Sequence, residues 1–148
     1  MIAPIPDEMI LILYRQILVP WETLLKSHKG KWDSDPVHAL AEKYELLIES
    51  TGQAHVASRA EEIRGNGSQD FLVFVRGKSL GSDLFRHVRN AVAHTGISLI
   101  ERSRKPTVLN FHSPALRGPG SAFIGQLRSE RLSLLIEALA ASAPASYI

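Results

Sequence analysis

Phe71-Leu72-Val73-Phe74-Val75-Arg76 admits two readings, and the fold class turns on them. Its β-branched and aromatic side chains favour a strand. The helix-like stretches on either side of it favour a helix. Downstream, residues 77–81 read as a turn. Ser82 or Asp83 then caps a helix that runs to about His94 and stops at Gly96. Upstream, residues 54–64 read as a short helix closed by Gly65-Asn66-Gly67.

Further out the pattern is mainly helical. The clearest helix has Asp35 as N-cap, Pro36 at its first position and Gly52 just past its end. Val37, Leu40, Ala41, Tyr44, Leu47 and Ile48 fall at helical spacing within it. Asp7 can cap a first helix through Met9, Ile12, Leu13 and Ile17, which Pro20 ends or kinks. Beyond Gly96 the texture changes. Two apolar runs, 97–100 and 107–111, flank the polar residues 101–105 and read as a β-hairpin or irregular extension. A Gly/Pro-rich stretch, 113–121, leads to a last helix through Leu127, Leu134, Leu135 and Leu139, and the tail 141–148 is expected to fray. The fold expected is mostly α: one domain over residues 1–148, a small helical bundle with a minor late β-hairpin.

Composition narrows the function classes. The chain has 148 residues, of which 45% are apolar, enough for one core. It has no cysteine, which removes disulfides, thiolate chemistry and sulfur-bound zinc. The start lacks a basic leader region, and the apolar run 9–19 contains Arg15 and Gln16 and is too short to span a bilayer. A cytoplasmic protein with no membrane association is expected. Residues 1–58 carry 5 Lys/Arg against 8 Asp/Glu, whereas residues 59–131 carry 12 against 6. The basic second half offers local attraction for phosphate.

The chemistry concentrates on the helix ending at His94. On a wheel, Leu84, Phe85, Val88, Ala91 and Val92 gather on the core side. His87, Asn90 and His94 cluster opposite, with Arg86 beside them and Arg89 towards the border. This polar face, 84–94, carries no carboxylate. Guanidinium groups can fork onto phosphate oxygens, and an imidazole can take and return a proton near neutral pH. Arg89 and His94 diverge by roughly 140° on an ideal helix. They converge if the helix end unwinds, or if two copies of the helix face each other across a two-fold axis.

The segment Arg89-Asn90-Ala91-Val92-Ala93-His94 resembles the signature of the HEPN superfamily, an Arg followed by a polar residue and, a few positions on, by His. The similarity is sharp over residues 82–96, an apolar helix with the motif near its end. The resemblance implies a helical, commonly homodimeric domain and metal-independent endoribonuclease activity, with toxin–antitoxin or defence systems as the setting. It implies Arg89 and His94 as the catalytic pair and Asn90 as the intervening polar residue. A cognate antitoxin or other regulator is then a possible partner. The alternative is a non-catalytic module of the same family that binds RNA or nucleotide, or serves dimerisation.

Other features are weaker. Arg86 and His87 lie outside the motif and are candidate RNA contacts. Arg102, Arg104 and Lys105 read as a solvated hairpin tip or as contacts tracking an RNA backbone. Trp21 and Trp32 read as packing or loop anchors, with base stacking as the alternative. The six histidines include no i,i+4 pair and no H-E-x-x-H, so neither a metal site nor a cofactor is expected. Gly118-Pro119-Gly120-Ser121 lacks the lysine of a phosphate-binding loop.

Overall fold

In the computed structural model, which describes residues 2–67 and 70–146, the Phe71 stretch is a strand. This strand, β3 (Phe71–Val75), lies between β2 (Leu47–Thr51), to which it is parallel, and β6 (Ser121–Arg128), to which it is antiparallel. Leu72 and Phe74 face one hydrophobic cluster, Phe71 and Val73 a second on the other side of the sheet. A strand covered on both faces has no solvent side to mark with polar residues, so its sequence loses the period-two alternation.

The sheet has six strands in the order β1-β4-β5-β6-β3-β2, with β1 (Ile2–Pro4), β4 (Ile97–Ile100) and β5 (Val108–Pro114) completing it. Only the β2–β3 pair is parallel. One face packs on α3 (Val56–Gly65). The larger core lies on the other face, under α2 (Asp35–Lys43), α4 (Leu80–Ala93), α5 (Leu132–Ser142) and the N-terminal helical segment. This is an α/β fold with a mixed sheet. It corrects the expectation of a mostly α bundle with a minor hairpin.

Particular residues explain the difference. Leu47 and Ile48 continue the helical spacing of α2, yet the helix ends at Lys43, and Glu45 takes φ 52°. Leu47 onward then pairs with Phe71 onward. Leu127, expected in the last helix, lies in β6. The hairpin itself is present, with β4 and β5 antiparallel around residues 101–107.

Pro20 neither ends nor breaks the first helix. From α1 (Asp7–Leu13) the helical backbone continues through π-type turns at Tyr14–Leu18 and Trp21–Leu25. The wider i→i+5 register next to proline accommodates a residue that has no N–H to give. The C-terminus is also better held than expected. α5 runs to Ser142, whose main-chain oxygen accepts from Asp33 N at 2.9 Å and whose hydroxyl donates to Ala138 O at 2.8 Å. Residues 147–148 lie outside the described residues.

Much of the basic surplus of the second half is spent within the fold. Arg59 forms a bidentate pair with Glu49, 2.7 Å on each arm, tying α3 to β2 and holding the Glu49 carboxyl below its ordinary range. Buried Asp70 accepts from Arg128 N at 2.8 Å and from Arg131 at 2.7 Å, joining the end of β6 to the start of β3. No helix among the described residues is long and apolar enough to cross a membrane.

Candidate functional site

α4 links β3 to β4, and β6 and β5 lie between those strands, so the helix crosses the core face of the sheet. It begins one turn earlier than expected. Ser79 is the N-cap, its hydroxyl accepting from Ser82 N at 3.4 Å. Asp83 caps nothing; it is buried and accepts from Gly77 N at 2.7 Å and Lys78 N at 3.0 Å, fastening the preceding loop.

Seated on the sheet, α4 leaves one arc towards solvent. Arg86, Arg89 and Asn90 are partly exposed on this arc, and His94 is exposed at its end. His87 is not part of it. Its imidazole is 2% exposed, with Phe74 and Phe123 beside it at ring separations of 5.5 and 6.0 Å. Nε2 donates to Val75 O at 3.0 Å, while Nδ1 has no hydrogen-bond partner among the described residues. The expectation of His87 as an RNA contact is corrected: α4 turns that flank onto β3 and β6, where RNA has no access.

His87 supplies a pH dependence instead. Burial, reinforced by the Arg86 charge, lowers its pKa from 6.5 to about 4, against the opposing effects of the Val75 carbonyl and Asp83. Above pH 6.5 the imidazole is neutral in both folded and unfolded chains, so no stability is lost there. As the pH falls, the unfolded chain takes the proton and the folded protein does not, until about pH 4. Unfolding free energy should drop by up to about 3 kcal/mol across this window through His87 alone. Urea titrations at pH 7 and pH 4.5 check this, because His87→Gln should flatten the difference between them.

At the other end of α4, Arg89 donates to Asn90 Oδ1 at 2.8 Å and pairs with Glu22 from the N-terminal helical segment. The face that is carboxylate-free in sequence therefore gains a carboxylate in space. Glu22 was missed because it lies 67 residues away, and nothing in its neighbourhood signals the pairing. His94 is the C-cap residue, one turn after Asn90, with its main-chain N–H donating to Asn90 O at 3.1 Å. Thr95 takes the left-handed turn at φ 56°. Gly96 is needed for a different reason: a Cβ there would lie 2.0 Å from His112 O on β5.

The other sequence candidates do not join this group. Arg102, Arg104 and Lys105 sit in the β4–β5 connection, at the opposite end of β4 from His94. Arg102 donates to Pro106 O at 3.3 Å, and Arg104 and Lys105 are exposed. Arg86 lies midway along α4, where it lines a cleft and approaches Asp83 at 3.7 Å. The structure thus joins Arg89 to Asn90 and Glu22, with His94 at the helix end one turn after Asn90 and Arg86 one turn before Arg89. The chain matches no protein-family model, no curated protein and no solved structure.

Proposed function

We propose that the protein is a metal-independent endoribonuclease whose reacting groups sit at the C-terminal end of α4. The observation that supports this reading is one solvent-facing arc carrying a guanidinium held by an amide and, one turn on, an exposed imidazole. The substrate's 2′-hydroxyl attacks the adjacent phosphorus, and His94 accepts its proton. A second His94, or a water, protonates the 5′-oxygen as the P–O5′ bond breaks. Arg89 stabilises the charge on the phosphorane. The nucleophile is internal to the RNA, so the reaction needs no metal-bound water. Glu22 does not bar phosphate from Arg89, since a partly exposed ion pair contributes only about 0–1 kcal/mol.

A second copy of the chain is part of this reading. Leu11, Ile12, Tyr14 and Val19 are 60%, 48%, 43% and 51% exposed on the helical segment that also supplies Glu22. Exposed apolar side chains on the segment that also carries Glu22 suit a two-fold contact that presents both His94 residues to one cleft. The protein should cut unstructured RNA in EDTA and leave 2′,3′-cyclic phosphate ends, and its solution mass should be that of a dimer. Leu11→Glu/Val19→Glu should yield monomer and lose cleavage. A wild-type dimer that leaves varied single-stranded RNA intact overturns the proposal. The second reading, a non-catalytic RNA-binding module, is favoured by Glu22, a negative charge facing the place where phosphorane charge would develop. It requires Arg89→Ala and His94→Ala to weaken binding with no cleavage to lose.

A further inference from the structure

At the N-terminal end of α4, residues 26–32 and 77–86 enclose a cleft of about 850 Å³. Lys26, Lys29, Lys31, Lys78 and Arg86 line it, together with the His28 imidazole. The ammonium groups of Lys29, Lys31 and Lys78 have no acidic partner among the described residues, whereas Lys26 is 3.6 Å from Glu22. Asp83 is the one carboxylate in the lining, and the loop N–H groups of Gly77 and Lys78 already occupy it. The cleft is therefore strongly electropositive, and Lys26, Lys29 and Lys31 come to it from the half of the chain whose overall balance is acidic.

Both tryptophans of the chain line the same cleft. Trp21 stacks on Phe85 at 5.7 Å and 24°, Trp32 meets Phe85 edge-on at 5.5 Å, and each indole remains partly exposed. The two indoles also lie 6.2 Å apart at 44°, and both line the cleft. The loop that presents the lysines is held in place. Gly30 N donates to His28 Nδ1 at 2.9 Å, and a Cβ on Gly30 would collide with His28 and Pro144 at 2.8 Å. Asp33 N is bonded to Ser142 O. The C-terminal segment thus buttresses the lysine loop.

The geometry points to this cleft as a binding site for single-stranded RNA, in which the lysines neutralise phosphates and the indoles stack on unpaired bases. The choice of RNA rests on the reading of α4 above; the choice of a single strand rests on the indoles, since paired bases bury the faces an indole would cover. Arg86 joins the cleft to Arg89 one turn further on, and Ser82 to His94 spans about 18 Å of helix. A strand held in the cleft is thereby aimed along α4 at the reacting groups, which makes the cleft a subsite for nucleotides flanking the cut.

A 2′-O-methyl RNA oligonucleotide tests the site apart from cleavage, because it lacks the attacking hydroxyl. Binding should quench the intrinsic fluorescence of the wild-type protein, since the only two tryptophans face the ligand. Lys29→Glu/Lys31→Glu should weaken binding at least about tenfold and reduce the slope of log affinity against log salt by about 1.4. Arg104→Glu/Lys105→Glu, at the distant hairpin, should change neither the quench nor the affinity by more than about twofold at 150 mM salt. Unchanged binding in the Lys29/Lys31 variant, an unquenched signal on saturation, or equal affinity for a duplex of the same length overturns the inference. Binding here by a protein that cuts no RNA leaves the cleft standing and removes the catalytic proposal.

Discussion

RNA cleavage by His94→Ala should fall at least about 100-fold, with thermal unfolding indistinguishable from wild type. The size follows from the proposed role: a positioned imidazole that moves a proton in the transition state contributes about 10²–10⁴ in rate. The unchanged stability follows from position. His94 is exposed at a helix end, and its main-chain bond to Asn90 O survives truncation of the side chain. Exposed substitutions of this kind usually alter stability by less than about 0.5 kcal/mol. Initial rates on a labelled single-stranded RNA, read beside a melting curve, decide the matter. A His94→Ala protein that keeps its rate would move the chemistry to another group. In Arg89→Ala the rate should fall comparably, because on the proposed mechanism this guanidinium stabilises the phosphorane.

Gly96→Ala should be the most damaging single methyl in the region, costing about 3 kcal/mol or more and lowering the urea midpoint by about 1 M or more. The added carbon would sit 2.0 Å from the carbonyl oxygen of His112, and that obstacle is backbone, which cannot swing aside as a side-chain tip can. Gly96 O also accepts from His112 N at 2.8 Å, and Gly96 N donates to Ala91 O at 2.7 Å. A shift that relieves the clash therefore disturbs both the start of the β4–β5 pairing and the end of α4. Cleavage should fall with stability, since Arg89, Asn90 and His94 take their places from this junction. Gly65→Ala is the control. It meets nothing within 4 Å at the end of α3, and there a methyl should be neutral or slightly stabilising. Equal midpoints for the two variants would mean that β5 does not pass Gly96 this closely.

The helix that carries the candidate residues was legible, and their setting was not. Arg89, Asn90 and His94 stand close together in the chain, and a capped helix with an apolar stripe ends where the sequence says it ends. Helical periodicity separates the core side from the other side, but it does not say how wide the covered arc is. His87 fell on the covered part because β3 and β6 come up beneath it. Glu22 was invisible for the opposite reason, because its contact with Arg89 depends on a helical segment that runs on through Pro20.

From the sequence alone came the local elements around the motif: the helix ending at His94, the two strands after it and the polar turn between them. Phe71-Leu72-Val73-Phe74-Val75 could not be resolved there, because a strand buried on both faces and a buried helical turn share one apolar pattern. Its parallel partner Leu47–Thr51 begins as an apparent continuation of α2, and β6 follows a Gly/Pro stretch that reads as the approach to a helix. Only tertiary pairing decided these. A strand satisfies its backbone N–H and C=O groups through another segment of chain, so its identity depends on residues far from its own. The same dependence governs charge. The basic half of the chain spends Arg59, Arg128 and Arg131 on internal carboxylates, while residues 26–31, from the acidic half, meet Lys78 across a cleft that exists only once α4 is in place.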